Sequence, residues 1–244
     1  METIIIIPCY NESKRLPTES FLDFADKNPQ ITFLFVNDGS TDDTLSVLED
    51  LATKNPSLQY LNLDKNGGKA EAIRQGMLYV VNQLESDYIG FLDADLATPL
   101  DEMPCFIELS KRKDYEMITG LRLARLGTEI KRKTVRHYLG RIFATCASLM
   151  LKLPVYDTQC GAKLYKTEIV FNIFKSPFIT RWLFDVELLA RYISFYGREK
   201  ATTKIYEYPI LKWEDVQGSR LKVKDFIRAP YELLIIKRKY LKNK

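Results

Sequence analysis

Three acidic clusters in the first hundred residues could do chemistry together. Pro8-Cys9-Tyr10-Asn11-Glu12, Asn37-Asp38-Gly39-Ser40-Thr41-Asp42-Asp43-Thr44 and Asp93-Ala94-Asp95 each follow an apolar run directly. Asp42 and Asp43 sit where a helix would begin, and a helix cap or turn accounts for them. Asp93 and Asp95 differ, because two carboxylates one residue apart repel unless a cation neutralises them. A hard divalent ion, Mg2+ or Mn2+, held by such a pair and by substrate phosphates suits that donor set. Downstream, Asn66-Gly67-Gly68-Lys69 is a Gly-rich turn opening a helical pattern, with Lys69 placed where a phosphate could sit. Arg122, Arg125, Lys131, Arg132, Lys133 and Arg136, and later Arg220, Lys222 and Lys224, supply guanidinium and ammonium groups for a second anion.

The apolar runs that carry these clusters read as strands of a parallel sheet covered on both faces. Ile4–Ile7, Ile31–Val36, Leu58–Leu61, Tyr88–Leu92 and Met117–Thr119 alternate with helical patterns at Pro17–Asp26, Thr41–Ala52, Lys69–Leu84 and Leu100–Lys111. Such doubly wound α/β chains bind ligands beyond the carboxyl ends of their strands, where all three acidic clusters fall. One long helix is expected from Thr128 to Leu153, a loop and strand over Tyr156–Lys166, a helix over Phe184–Tyr196, a strand over Lys204–Tyr208 and a basic-ended helix over Lys224–Tyr240. The expectation is one domain over 1–244, with a doubly wound half at 1–121 and a C-terminal elaboration at 122–244.

Charge divides the chain in the same place. Residues 1–121 carry 10 Lys and Arg against 21 Asp and Glu, whereas residues 122–152 carry 8 against 1, and residues 212–244 carry 10 against 4. Basic segments behind an acidic front half suit a protein whose later portion meets something anionic. The acidic half argues against nucleic acid as the partner. Four cysteines without CxxC spacing and a single His argue against a zinc site and for free thiols in a reducing, cytoplasmic setting. No apolar stretch approaches the roughly 20 residues that span a bilayer, and the opening Thr3-Ile4-Ile5-Ile6-Ile7-Pro8 lacks the basic start of a signal peptide.

PCYNE, NDGSTDDT and DAD, in this order and spacing, resemble the family-two glycosyltransferases of the GT-A fold, a Rossmann-like, mostly parallel sheet flanked by helices. The resemblance implies that Asp38 reads the base of a nucleotide-diphosphate sugar, that Pro8, Tyr10 and Glu12 pack around the nucleoside, and that Lys69 and Ala94 line the donor. It also implies that Asp93 and Asp95 hold the metal on the diphosphate. Asp157-Thr158-Gln159-Cys160-Gly161-Ala162-Lys163-Leu164, Arg181-Trp182-Leu183-Phe184-Asp185-Val186-Glu187-Leu188 and Trp213–Arg220 extend the likeness to dolichyl-phosphate glucosyltransferases and their bacterial polyprenyl-phosphate relatives. Those relatives imply an inverting transfer of a hexose, from UDP-glucose first and GDP-mannose next, to a polyprenyl phosphate. Asp95, Arg122 and Asp157 are then the catalytic candidates, and Arg122, Arg125, Arg136, Lys163 and Arg220 the acceptor-phosphate candidates. A phosphate acceptor is already an oxyanion and needs no general base, so Asp157 is expected to orient an acceptor-side cation instead. The resemblance makes 1–121 the nucleotide-sugar-binding half and 122–244 the acceptor-side half, with three departures: Gly120-Leu121-Arg122 where the family has GSR, Gly218-Ser219-Arg220 where it has GSK, and Ala162 where it has Phe.

The segment His137–Leu151 places Leu139, Ile142, Phe143, Cys146, Leu149 and Met150 at helical spacing beside basic residues. It reads either as core packing or as a helix lying on an anionic lipid surface, which gives peripheral attachment at the inner face of the membrane. Transfer to a saccharide hydroxyl, or donor binding without catalysis, remain the competing readings.

Overall fold

The computed structural model describes residues 2–131, 134–214 and 223–242. Its centre is β1 (Thr3–Cys9), four isoleucines in a row flanked by β2 (Ile31–Asp38) and β4 (Tyr88–Leu92), both parallel to it. Side chains alternate across a pleated strand. Ile4 and Ile6 therefore enter the core on one face, and Ile5 and Ile7 the core on the other. A strand that is apolar at every position is thus the signature of a sheet sandwiched between helix layers.

The layers follow from the connections. Helices α1 (Thr18–Lys27), α2 (Thr44–Lys54) and α4 (Glu102–Lys113) cover the face of Ile5 and Ile7, through Phe21, Leu48 and Phe106 among others. The opposite face receives α3 (Lys69–Gln83), α5 (Thr134–Leu151), α6 (Thr167–Phe174), α7 (Phe184–Tyr196) and α9 (Val223–Tyr240). Strands β3 (Leu58–Leu63), β5 (Met117–Leu121), β7 (Ala162–Lys166) and β8 (Ile205–Pro209) complete a seven-stranded sheet of order β3-β2-β1-β4-β7-β5-β8.

One strand of this sheet runs backwards, and the site depends on it. β7 is antiparallel to both β4 and β5, with Ala162 opposite Leu92. Its start therefore lies at the carboxyl end of β4, and the preceding loop, 157–161, is delivered to Asp93. Register does the same for the first two clusters, since Cys9 faces Asn37 across β1 and β2.

The expected helix from Thr128 is corrected. Glu129–Lys131 is a short strand, β6, paired in parallel with β9 (Lys212–Glu214), and the helix starts at Thr134. Two short helices had no counterpart in the sequence reading: α6, which follows β7 without a break, and α8 (Arg198–Lys204). The remaining expected strands and helices are found within a few residues of their predicted bounds.

Candidate active site

At the carboxyl end of β2, Asp38 is buried and its two carboxylate oxygens accept from the backbone N–H groups of Gly67 and Gly68, each at 2.8 Å. Burial pushes the Asp38 carboxyl up, and those two N–H groups pull it back. Gly68, at φ +88°, turns the chain into α3, and Arg181 lies so close that a Cβ at Gly68 would be 3.1 Å from its guanidinium. The β1 loop is tied to the β2 loop: Asn11 N–H donates to Ser40 Oγ at 3.0 Å, and Glu12 N–H to Thr44 Oγ1 at 2.8 Å. Glu12 itself pairs with Arg15 at 2.6 Å. Asp42 accepts from Ser13 and Thr44, and burial working against these bonds leaves its carboxyl at about 2, in keeping with the turn role expected for it.

Beyond β4, the Asp93 carboxylate forms an ion pair with the ammonium of Lys69, both side chains partly exposed. Asp95 accepts from Ala97 N–H at 3.1 Å, and burial together with the Asp93 charge pushes its carboxyl up. The middle residue, Ala94, is buried. Gly161 is what allows the approach of the β7 loop, because a Cβ there would stand 2.0 Å from Asp93 Oδ2. Among the described residues no three metal-ligating side chains converge. Asp93 and Asp95 are two hard oxygen donors in an accessible cradle, which fits a divalent ion that completes its shell with phosphate and water.

On the other side of this loop, Arg122 grips Asp157 in a bidentate pair, Nε to Oδ2 at 2.6 Å and the outer nitrogen to Oδ1 at 2.8 Å. The Arg122 backbone N–H adds a bond to Asp157 Oδ2 at 3.2 Å, and the Trp213 ring lies 5.2 Å from the guanidinium carbon. Burial works against the Arg122 charge, but Asp157 more than restores it and carries its pKa above the ordinary value. Asp157 is fixed from behind by Glu207, which accepts its backbone N–H at 2.7 Å. Asp157 is thus committed to the Arg122 guanidinium through both of its oxygens.

Lys163 departs from expectation. Its ammonium is fully buried and donates to Thr158 O at 3.2 Å, Cys160 O at 2.6 Å and Asp185 Oδ1 at 2.6 Å. An ammonium has three protons, so none remains for an acceptor phosphate; Lys163 holds the 158–160 loop in shape instead. Arg125 is exposed in the turn before β6, Arg136 has its place on α5, and Arg220 lies outside the described residues. Pro8, near the end of β1, and Tyr10, just beyond it, are half-buried. Sequence reasoning left Arg181, Asp185 and Glu207 without roles. The first two stand in a stretch singled out only for its likeness to relatives, and nothing local marks Glu207.

The model for glycosyl transferase family 2 matches residues 4–174. The chain belongs to that family. A dolichyl-phosphate beta-glucosyltransferase of Trichomonas vaginalis is 32% identical over 250 residues, covering 96% of this chain and 70% of the relative. The human enzyme of the same name is 30% identical over 258 residues, covering 97% of this chain and 75% of its own length. Among solved structures, mannosyl-3-phosphoglycerate synthase from Rubrobacter xylanophilus superposes with a TM-score of 0.69 at 12% identity, over 98% of this chain and 73% of that one. Glucosyl-3-phosphoglycerate synthase from Mycobacterium tuberculosis, in complex with Mn2+, UDP-glucose and phosphoglyceric acid, gives 0.63 at 16% identity, over 96% and 78%. The protein is a glycosyltransferase of the GT-A fold.

Proposed function

We propose that this glycosyltransferase moves glucose, with inversion, from UDP-glucose to a polyprenyl phosphate of the dolichyl type, at the cytoplasmic surface of a membrane. The observation that carries the reading is the state of the site carboxylates. Asp93 is paired with Lys69, Asp157 with Arg122 and Asp185 with Lys163, while both oxygens of Asp38 take backbone N–H groups. A hydroxyl acceptor requires a base to take its proton, whereas a phosphate monoester attacks as the oxyanion it already is. Carboxylates committed to cations and amides suit the second case. The names of the relatives point the same way, and the Mn2+ and UDP-glucose of the mycobacterial neighbour suit the donor side.

In this reading the loops of β1 and β2 hold the nucleoside, and Asp38 accepts a base N–H with a remaining lone pair. Asp93 and Asp95 hold a divalent cation, which supplies charge neutralisation to the leaving diphosphate. Arg122, set by Asp157, orients the acceptor phosphate, whose oxygen attacks the anomeric carbon as the bond to the diphosphate breaks on the opposite face. Membrane contact falls to α5, where Tyr138, Ile142 and Leu149 are exposed. Among the described residues no helix is long and apolar enough to cross a membrane.

The test is transfer of labelled glucose to detergent-dispersed polyprenyl phosphate, run beside a saccharide acceptor and beside GDP-mannose. Sugar on the lipid, lost by at least about a hundredfold in Asp95→Asn and abolished by excess EDTA, is the expected result. Sugar on the saccharide, or binding without turnover, would overturn the acceptor assignment.

A further inference from the structure

Lys69 stands at the junction of two things the site must bind. It is the first residue of α3, directly after Gly68, whose N–H is held by Asp38. Its ammonium reaches across to the Asp93 carboxylate. Asp185 is already neutralised by Lys163 at 2.6 Å, and Asp93 takes its cation from Lys69. The side chain of Lys69 is 43% exposed, so its ammonium lies within reach of a ligand arriving from solvent.

We propose that Lys69 is a resident counter-cation which holds the Asp93 carboxylate until the donor arrives, so that the divalent ion enters with the nucleotide and not ahead of it. The inference rests on the reading of Asp93 and Asp95 as the metal-holding pair. A carboxylate oxygen engaged by an ammonium offers a weakened site to a second cation, because the two positive charges repel at contact distance. A nucleoside diphosphate changes the balance by bringing its own negative charge. Its oxygens give Lys69 a new partner within one side chain's reach and supply the ion with ligands that two carboxylates lack. The position of Lys69 is itself set by Asp38 through Gly67 and Gly68, so filling the base pocket and moving the ammonium occur on one short turn of chain.

The measurement is Mn2+ binding to the whole protein, read from the free-ion electron paramagnetic resonance signal, with and without UDP. Wild-type protein is expected to bind Mn2+ weakly alone and much more tightly with UDP. Lys69→Gln is expected to bind Mn2+ alone roughly two- to fivefold tighter than wild type, the scale of one partly exposed ion pair, and to gain less from UDP. Lys69→Arg keeps the charge and is expected to behave as wild type. Equal Mn2+ affinity of wild type and Lys69→Gln without nucleotide, with tight Asp93-dependent binding in the presence of UDP, would overturn the counter-cation role and leave the metal site standing. Mn2+ binding that ignores UDP and survives Asp93→Asn would remove both.

Discussion

At Gly161 a hydrogen stands where any other residue would carry a carbon 2.0 Å from the Asp93 carboxylate. That close approach joins the two halves of the site, since Gly161 belongs to the loop that begins with the Arg122-bound Asp157. Gly161→Ala is therefore expected to displace Asp93 and to lower Mn2+ affinity in the presence of UDP by about ten- to a hundredfold, as losses of ligand support usually do. Calorimetry with UDP and Mn2+ checks it, and unchanged affinity would mean that the loop yields and Asp93 stays. The types of these residues were legible in the sequence; their partners were not. DxD after an apolar run raises the expectation of a cation because carboxylate repulsion is local information. That Lys163 would spend a proton on Asp185, on α7, depends on tertiary packing that no residue near Lys163 encodes.

Helix α7 positions the site from behind, and its own support is ionic. Glu187 is fully buried and accepts from Ile179 N–H, Thr180 N–H, the Tyr240 hydroxyl and the guanidinium of Arg191, one turn on. Arg191 in turn donates to the carbonyls of Ile173, Ser176 and Pro177. The pair thus orders the segment that carries Arg181 to Gly68 and presents Asp185 to Lys163, and it ties α9 down at Tyr240. Glu187→Ala strands the Arg191 charge in the core, with an expected cost of about 3–5 kcal/mol in urea unfolding. Tyr240→Phe removes one hydrogen bond to a charged group and is expected to cost about 1.5–3 kcal/mol. A Glu187→Ala loss no larger than that of Tyr240→Phe would mean that the pair is not what holds the segment. Elements with their own internal pattern were readable in advance: β1, β2 and β4 are apolar on both faces, and α7 was placed to the residue. Strands β6 and β9 were not, because three residues apiece carry no periodicity and owe their form to pairing with each other. The helix expected from Thr128 overran its true start for the same reason.

At the scale of the whole molecule, the acidic front half carries the Asp38 and Asp93 loops while the basic segments flank helices with exposed apolar side chains. On α5, Phe143, Ala144, Ala147 and Leu151 turn inward, whereas Tyr138, Ile142 and Leu149 are 65%, 64% and 73% exposed. Core packing thus holds for one side of the helix, and the proposed lipid contact falls to the other. On α9, Tyr231 and Leu234 are exposed ahead of Lys237, Arg238 and Lys239. Exposed apolar residues beside cations fit a surface of anionic headgroups over acyl chains. Removing an apolar side chain from such an interface forfeits about 1.5–3 kcal/mol when it is fully buried there, and a carboxylate in its place adds repulsion. The double variant Ile142→Glu with Leu149→Glu is therefore expected to lose at least about tenfold in affinity for vesicles of anionic phospholipid, measured by co-sedimentation. Transfer to polyprenyl phosphate embedded in those vesicles should fall in parallel, while transfer to a short, water-soluble prenyl phosphate should hold, because neither side chain belongs to the group around Asp93 and Arg122. Equal losses on both acceptors would place the damage in the site and take the membrane role away from α5.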